Sequence, residues 1–404
     1  MERVVRIQSR ICVGGPALHT ILLSEGLSAS RGSRYETTLV GGALEPGEAS
    51  LEGLARERAV DVELIPEMRR SLSPRHDTVA LAKLVRLLRR LRPTIVHTHT
   101  AKAGAIGRVA ARIARVPLVF HTFHGHVFDG YFTGGRSRAF LAAERNLGRL
   151  TDRIIAISPA QREDLAFKYQ VAPIEKIELV PLGLELDRFR RIDLDGRGAL
   201  RRELALSPDA PLVLSVGRLV PIKRFDLLID AFGRVSAVRP DAALVIAGDG
   251  EPSFRAELEA RARRVSGRIF FLGWRRDLER LYRDADVFAL TSDNEGTPVA
   301  VIEAVSAGLP VVATDVGGLR DILEPEMGRR VGRGDSMALA QALLTALDPP
   351  VGRVPEPVRD RMVTTFSHRR LISDVSRLYD RLLEERLRRP HPALGPEPRE
   401  GTLC

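Results

Sequence analysis

Short β-rich runs alternate with helical patterns along nearly the whole chain, and that alternation narrows the fold more than any other property of the sequence. Strands separated by a helix-length crossover pair in parallel, because antiparallel neighbours need only a short turn. In the first half the runs are VVRIQS (4–9), YETTLV (35–40), DVELI (61–65), TIVHTH (94–99), PLVFHT (117–122), RIIAIS (153–158) and IELV (177–180). Helical patterns over 17–27, 77–91 and 103–114 lie between them. A second series follows at 211–217, 243–248, 268–273, 287–290 and 310–315, with helical patterns over 224–235, 252–265 and around Glu303. The expected fold class is α/β, with two Rossmann-like, doubly wound domains whose sheet edges face each other across a cleft. A chain of 404 residues is also too long for one ordinary core. The first domain is expected over 1–182, an irregular charged linker over 183–209 and the second domain over 210–366. A long amphipathic helix closes the fold over 367–389, and the Pro-rich stretch 390–404 is expected to be disordered.

Composition excludes several classes. No run approaches the roughly 18 apolar residues of a membrane span, and MERVVRIQSR lacks the apolar centre of a signal peptide, so a cytoplasmic protein is expected. Cys12 and Cys404 are the only cysteines, which rules out a disulfide framework or a cysteine metal site. Charge is uneven: residues 1–180 carry 27 Lys and Arg against 18 Asp and Glu, whereas the remainder carries 35 against 34. A basic first half suits the anionic inner face of a membrane, where each such residue is worth about 1 kcal/mol. Charge alone would serve nucleic acid equally, but no nucleic-acid motif occurs, so that partner is not expected. An Arg-rich composition offers a plainer source of the excess, since only Lys83, Lys102, Lys168, Lys176 and Lys223 are lysines.

Chemistry concentrates in Ser292 to Gly318, SDNEGTPVAVIEAVSAGLPVVATDVGG. DVFAL reads as a buried strand, SDNEG as its turn, and PVAVIEAVSAG as a helix with Thr297 as N-cap and Pro298 at the first helical position. Glu303 is the only charge in that apolar helix and needs a hydrogen-bonding partner, either from the protein or from a ligand hydroxyl. Glu295 precedes the helix, on the loop where open α/β sheets place ligands. The helix start between them, with no acidic residue in its first turn, suits phosphate. A loop carboxylate beside an internally paired core carboxylate is the competing reading.

Gly217, Arg218 and Lys223 lie on the loop after the second domain's first strand, where a departing diphosphate would find cations. Solvated loop charges are the alternative there. Gly14 and Gly15 allow a close backbone approach after the first strand. The chain has neither G-x-G-x-x-G nor the P-loop pattern. Five of nine histidines fall between 97 and 126; His97 and His99 alternate on a strand and read as structural, while His124 or His126 on a glycine-rich loop could bond a substrate hydroxyl. The acidic pairs DLD (193–195) and DAD (284–286) resemble metal ligands, yet one lies in the linker and the other opens a strand; no metal is expected.

These residues match a family. EGTPVAVIE (295–303) and VGRLVPIKRFDLLIDAF (216–232), supported by GGP and HTFHGHVFDGYF, make the chain resemble the retaining family 4 glycosyltransferases of GT-B architecture over about residues 3–388, most closely members that build bacterial surface glycans. By that resemblance Arg218 and Lys223 hold the diphosphate of a nucleotide-sugar donor, expected to be a UDP-sugar. Glu303 binds its ribose, Glu295 contacts the sugar near the reacting carbon, and His124 touches the sugar hydroxyls. Backbone groups of Gly296, Thr297, Pro298 and Val299 meet phosphate while Gly14 and Gly15 close over it. The closing helix returns to the first domain, which binds a lipid-linked or glycan acceptor. VPLGLELDRF (180–189) departs from the Asn-Gly often found there, leaving the interdomain contact open. A UDP-sugar 2-epimerase of related fold and a non-catalytic nucleotide-sugar scaffold are the other functions consistent with these motifs.

Overall fold

The computed structural model describes residues 1–45, 48–69, 71–125, 135–190, 197–348 and 352–388. Its first sheet contains β1 (Glu2–Arg10), β2 (Tyr35–Gly42), β3 (Asp61–Leu64), β4 (Ile95–His99), β5 (Leu118–Phe123), β6 (Arg153–Ala156) and β7 (Ile177–Leu179) in the order β3-β2-β1-β4-β5-β6-β7. The second contains β8 (Leu212–Val216), β9 (Ala243–Ala247), β10 (Arg268–Phe271), β11 (Val287–Leu290), β12 (Val311–Thr314) and β13 (Gly328–Val331) in the order β10-β9-β8-β11-β12-β13. Every pairing is parallel. Strand order reverses once in each sheet, between β1 and β4 and between β8 and β11. Crossovers leave to opposite faces at those points, so a crevice opens at the carboxyl ends of the two strands.

The inner strands are buried on both faces, as their unbroken apolar runs require. β13 breaks that pattern. Gly328-Arg329-Arg330-Val331 has no apolar run, and it pairs only with β12 at the sheet edge, where both arginines face solvent. Periodicity therefore could not announce it.

Residues around the second sheet form apolar layers on both of its faces. One layer includes Leu184, Leu186, Phe189, Leu200 and Leu206, so much of the stretch expected as an irregular linker packs into the second core. Its charged residues obscure this because the apolar ones are spaced to point inward while Arg188, Arg190 and Arg202 point out, and the one buried guanidinium, Arg201, is paired with Asp286. Residues 191–196 lie outside the described set. The chain crosses between the domains a second time beside this stretch: Leu184 N–H donates to the Phe366 carbonyl at 2.7 Å and His368 N–H to the Leu184 carbonyl at 3.0 Å.

That second crossing leads into the helix His368–Arg388, which buries Leu371, Val375, Leu378, Tyr379, Leu382 and Leu383 against Val4, Leu23, Tyr35, Ile95 and Phe120 of the first domain. The spacing is one helical face, and each such leucine removed from water contributes about 1.5–3 kcal/mol. Tyr35 adds a hydrogen bond to Asp380 at 2.6 Å. The Pro-rich stretch 390–404, and with it Cys404, lies outside the described residues.

Candidate active site

The second domain's half of the site grows from the reversal between β8 and β11. Beyond β8 the chain runs through Gly217 and Arg218 into a turn over Pro221–Lys223. Two bonds fasten that turn to the loop after β11: Asp293 N–H donates to the Ile222 carbonyl at 2.8 Å, and the Thr291 hydroxyl donates to the Lys223 carbonyl at 2.9 Å. Arg224 follows with a left-handed φ of 50° and pairs with Asp226 and Asp293. These ties bring Lys223 Nζ to 2.5 Å from Glu295 Oε1, which also accepts from the Ser292 hydroxyl at 2.5 Å. The two side chains are 23% and 10% exposed, so the pair is shielded yet reachable from the cleft. Arg218 is exposed and makes no ion pair among the described residues; its charge acts on the Cys12 thiol of the first domain, which places it on the cleft wall.

Gly317 and Gly318, at the end of the same motif, support the Glu295 loop from below. A Cβ on Gly317 would meet the Glu295 carbonyl oxygen at 1.9 Å, and one on Gly318 the Gly296 carbonyl oxygen at 1.8 Å. Only glycine leaves room for the Gly318 N–H to donate to the Glu295 carbonyl at 3.1 Å.

The helix begins one residue later than its sequence suggests. It spans Val299–Ser306, Pro298 is its N-cap rather than its first residue, and Thr297 does not cap it. Pro298 has ψ of 94°, outside the helical region, which carries Thr297 too far from the first turn to bond it. The Thr297 hydroxyl is instead buried without a partner, in a residue only 9% exposed. Glu303 is buried and receives a hydrogen bond from Tyr282 at 3.0 Å, through Oε2. The protein thus supplies a partner that the helix alone lacked. Burial still pushes the Glu303 carboxyl up to about 7, against the opposing pull of the Arg188 charge and the Tyr282 bond.

The first domain faces this half with Gly14, Gly15 and the loop after β5. A Cβ on Gly15 would sit 3.5 Å from Val299 Cγ2, and one on Gly296 would sit 2.8 Å from the His124 carbonyl oxygen. The two domains therefore meet around the start of the Val299–Ser306 helix. The His124 ring is part of an imidazole group. His124 Nε2 lies 3.0 Å from His99 Nδ1, and the His19 ring stands edge-on to His124 at 4.9 Å. His97 stacks on His99 at 4.3 Å and spends both nitrogens on Tyr379 (2.6 Å) and Thr122 (2.7 Å).

Burial holds His19, His97 and His99 well below their usual pKa and His124 down to about 4. His19, His99 and His124 each offer a nitrogen within 4.8 Å of the others, close enough for a metal by distance. No carboxylate belongs to the set, and the fully buried Arg6 guanidinium adds positive charge to His19 and His99. Hard cations have nothing to favour them there.

The structure brings Gly15, His124, Gly296 and Val299 together around the helix start, with Lys223 joined to Glu295 in the loop that leads into it; Glu303 lies deeper in the helix. His97 is structural as expected, whereas His99 reaches the cleft-side histidine. His126 falls outside the described residues, as do the rest of its loop to 134 and the DLD stretch. The DAD carboxylates hold the chain: Asp284 accepts from the Gly198 and Leu200 N–H groups, and Asp286 pairs with Arg197 and Arg201. Sequence reasoning missed Tyr282, Ser292, His19 and His99. Nothing in LERLYRDADVF signals that its tyrosine turns toward a carboxylate 21 residues later.

Two opposed Rossmann-like domains with a cationic, carboxylate-lined cleft define the GT-B class of glycosyltransferases. The solved Anabaena protein HepE, captured with UDP and glucose, superposes with a TM-score of 0.79 at 21% identity, over 94% of this chain and 99% of that one. Sucrose-phosphate synthase from Thermosynechococcus elongatus gives the same score at 22% identity, over 95% and 100%. The description "Glycosyltransferase Family 4" matches residues 13–188 and "Glycosyl transferases group 1" residues 196–363. An Escherichia coli UDP-Gal:α-D-GlcNAc-diphosphoundecaprenol α-1,3-galactosyltransferase is 30% identical over 321 residues, 78% of this chain and 82% of that protein. A D-inositol 3-phosphate glycosyltransferase of Xylanimonas cellulosilytica is 35% identical over 264 residues, 62% of each chain. The chain belongs to glycosyltransferase family 4 and is a glycosyltransferase. Among the described residues no helix is long and apolar enough to cross a membrane.

Proposed function

We propose that the protein transfers a hexose-type sugar, with retention at the anomeric carbon, from a UDP-sugar to a lipid-linked or glycan acceptor in bacterial surface polysaccharide synthesis. The observation that carries this reading is the Lys223–Glu295 pair, held at the reversal point of the second sheet beside a helix start that the first domain touches. In the reaction the bond from the anomeric carbon to the diphosphate oxygen breaks, and the acceptor oxygen bonds that carbon from the same face. The acceptor proton passes to the departing phosphate.

Each residue then has a task. Lys223 and Arg218 stabilise negative charge growing on the diphosphate, with backbone groups of Gly296 to Val299 and the Thr297 hydroxyl beside it. Glu295 lies where positive charge develops on the sugar ring. Glu303 accepts from the ribose hydroxyls, and His124 contacts the sugar. Gly14 and Gly15 let the first domain close over the donor. Two side-chain cations replace the divalent metal that many diphosphate chemistries need, so turnover should survive chelation.

The Escherichia coli relative's name joins a UDP-sugar to a lipid diphosphate acceptor, which supports this donor and acceptor class. The basic first half supports work at the inner face of the membrane, with the protein otherwise cytoplasmic. The deciding assay presents a panel of sugar nucleotides with membrane extract and follows UDP release. Glu295→Ala and Lys223→Ala should each slow release by about a hundredfold or more. Release as fast as wild type in both variants would overturn the site, and product from a UDP-sugar without acceptor would indicate epimerisation instead.

A further inference from the structure

Three of the imidazoles behind the cleft do no acid–base work at neutral pH and bind no carboxylate, so their arrangement calls for another explanation. His99 has one nitrogen, Nδ1, against His124 Nε2 at 3.0 Å. Its other nitrogen, Nε2, is fully buried with no partner. A neutral imidazole carries a single N–H, so only two proton arrangements fit this pair.

In the first, His124 donates from Nε2 to a bare His99 Nδ1. His99 then carries its proton on the buried Nε2, leaving an orphaned donor in the core. In the second, His99 donates from Nδ1 to a bare His124 Nε2. The buried Nε2 of His99 is then a lone pair, and His124 carries its proton on Nδ1. Orphaned N–H groups are the rarer defect in folded proteins. Among the described residues no hydrogen bond reaches His124 Nδ1, so this is the nitrogen left to meet a ligand.

We propose that His99 is a positioning residue that fixes His124 as its Nδ1–H tautomer, making His124 an obligate hydrogen-bond donor to an oxygen of the donor sugar. The specificity consequence is that the sugar must present an acceptor lone pair, a hydroxyl or carbonyl oxygen, at that position. His97 backs the arrangement from behind: stacked on His99 and pinned by Tyr379 of the closing helix, it holds the ring plane of His99. His19, edge-on to both rings, closes the remaining side. Burial keeps His124 and His99 neutral across the physiological range, so the donor role does not titrate away. The inference rests on the proposed donor site.

The test uses the full chain labelled with 15N-histidine and two-bond proton–nitrogen spectra, which report the tautomer of each ring without any turnover. His124 and His99 should both appear as Nδ1–H in the wild type. His99→Leu should release His124 from that tautomer and lower kcat/KM about tenfold, the scale of one hydrogen bond. His99→Asn, whose amide can donate from the Nδ1 position, should restore both the tautomer and most of the rate. A wild-type spectrum with His124 as Nε2–H overturns the proposal even if His99→Leu fails to fold, and so does His99→Asn performing no better than His99→Leu. If Glu295→Ala and Lys223→Ala keep full UDP release while the tautomer is as stated, the donor site is wrong and the tautomer assignment stands.

Discussion

Glu303→Gln separates what a buried carboxylate costs from what it does. Burial moves this carboxyl from 4.5 to about 7, and at about 1.36 kcal/mol per pH unit its ionisation costs the folded protein roughly 3 kcal/mol. The folded state binds the proton more tightly than the unfolded chain, so the cost is absent below about pH 4.5. It grows between 4.5 and 7 and is complete above 7. Glutamine keeps an oxygen for the Tyr282 hydroxyl and never ionises. The variant should therefore exceed wild type by no more than about 1 kcal/mol near pH 5 and by about 3 kcal/mol at pH 8, several degrees of melting temperature. Thermal unfolding of both proteins from pH 5 to 8 measures that widening gap. Titration of UDP into the same samples should show the opposite trend, with the variant binding at least tenfold more weakly at pH 8, because a charged acceptor to the ribose hydroxyls has been lost. A stability gap that stays constant with pH would refute the perturbed carboxyl, and unchanged UDP affinity would refute its contact with the nucleotide.

Three further substitutions probe other parts of the site. Thr297→Val removes a buried hydroxyl that has no partner in the free protein, so it should stabilise the fold by about 1 kcal/mol in denaturant titrations while weakening UDP binding. Gly296→Ala should lower kcat/KM with little loss of melting temperature, since its Cβ would press on the His124 carbonyl across the domain contact; full activity would mean that this contact opens freely during turnover. Tyr379→Phe deletes the hydrogen bond to His97 and should cost about 1 kcal/mol of stability, and 15N spectra should show a changed His97 environment.

Most of the sheet framework was legible because buried parallel strands are unbroken apolar runs, and no competing pattern yields DVFAL or ALVIAG so often between helices. The edge strand β13 was not, since a strand with one partner and two exposed arginines carries no such run. Glu295, Glu303 and Lys223 stood out as charges in apolar or lysine-poor settings. Their true neighbours did not: Ser292 reads as an ordinary turn residue, Tyr282 falls in no element read from the sequence, and His99 reads as one of a strand's alternating pair.

Local spacing thus determined two doubly wound domains, the loop that bears Glu295 and the helix that bears Glu303, because helical and strand periodicity act over a few residues. The partners of those groups were decided only by tertiary packing. Lys223 meets Glu295 because β8 and β11 are adjacent although their first residues, Leu212 and Val287, lie 75 positions apart in the chain. Tyr282 meets Glu303, and His99 meets His124, for the same reason: parallel pairing gathers strand ends and helix faces from distant parts of the chain onto one edge, and no pattern within a single segment records which neighbours it will find there.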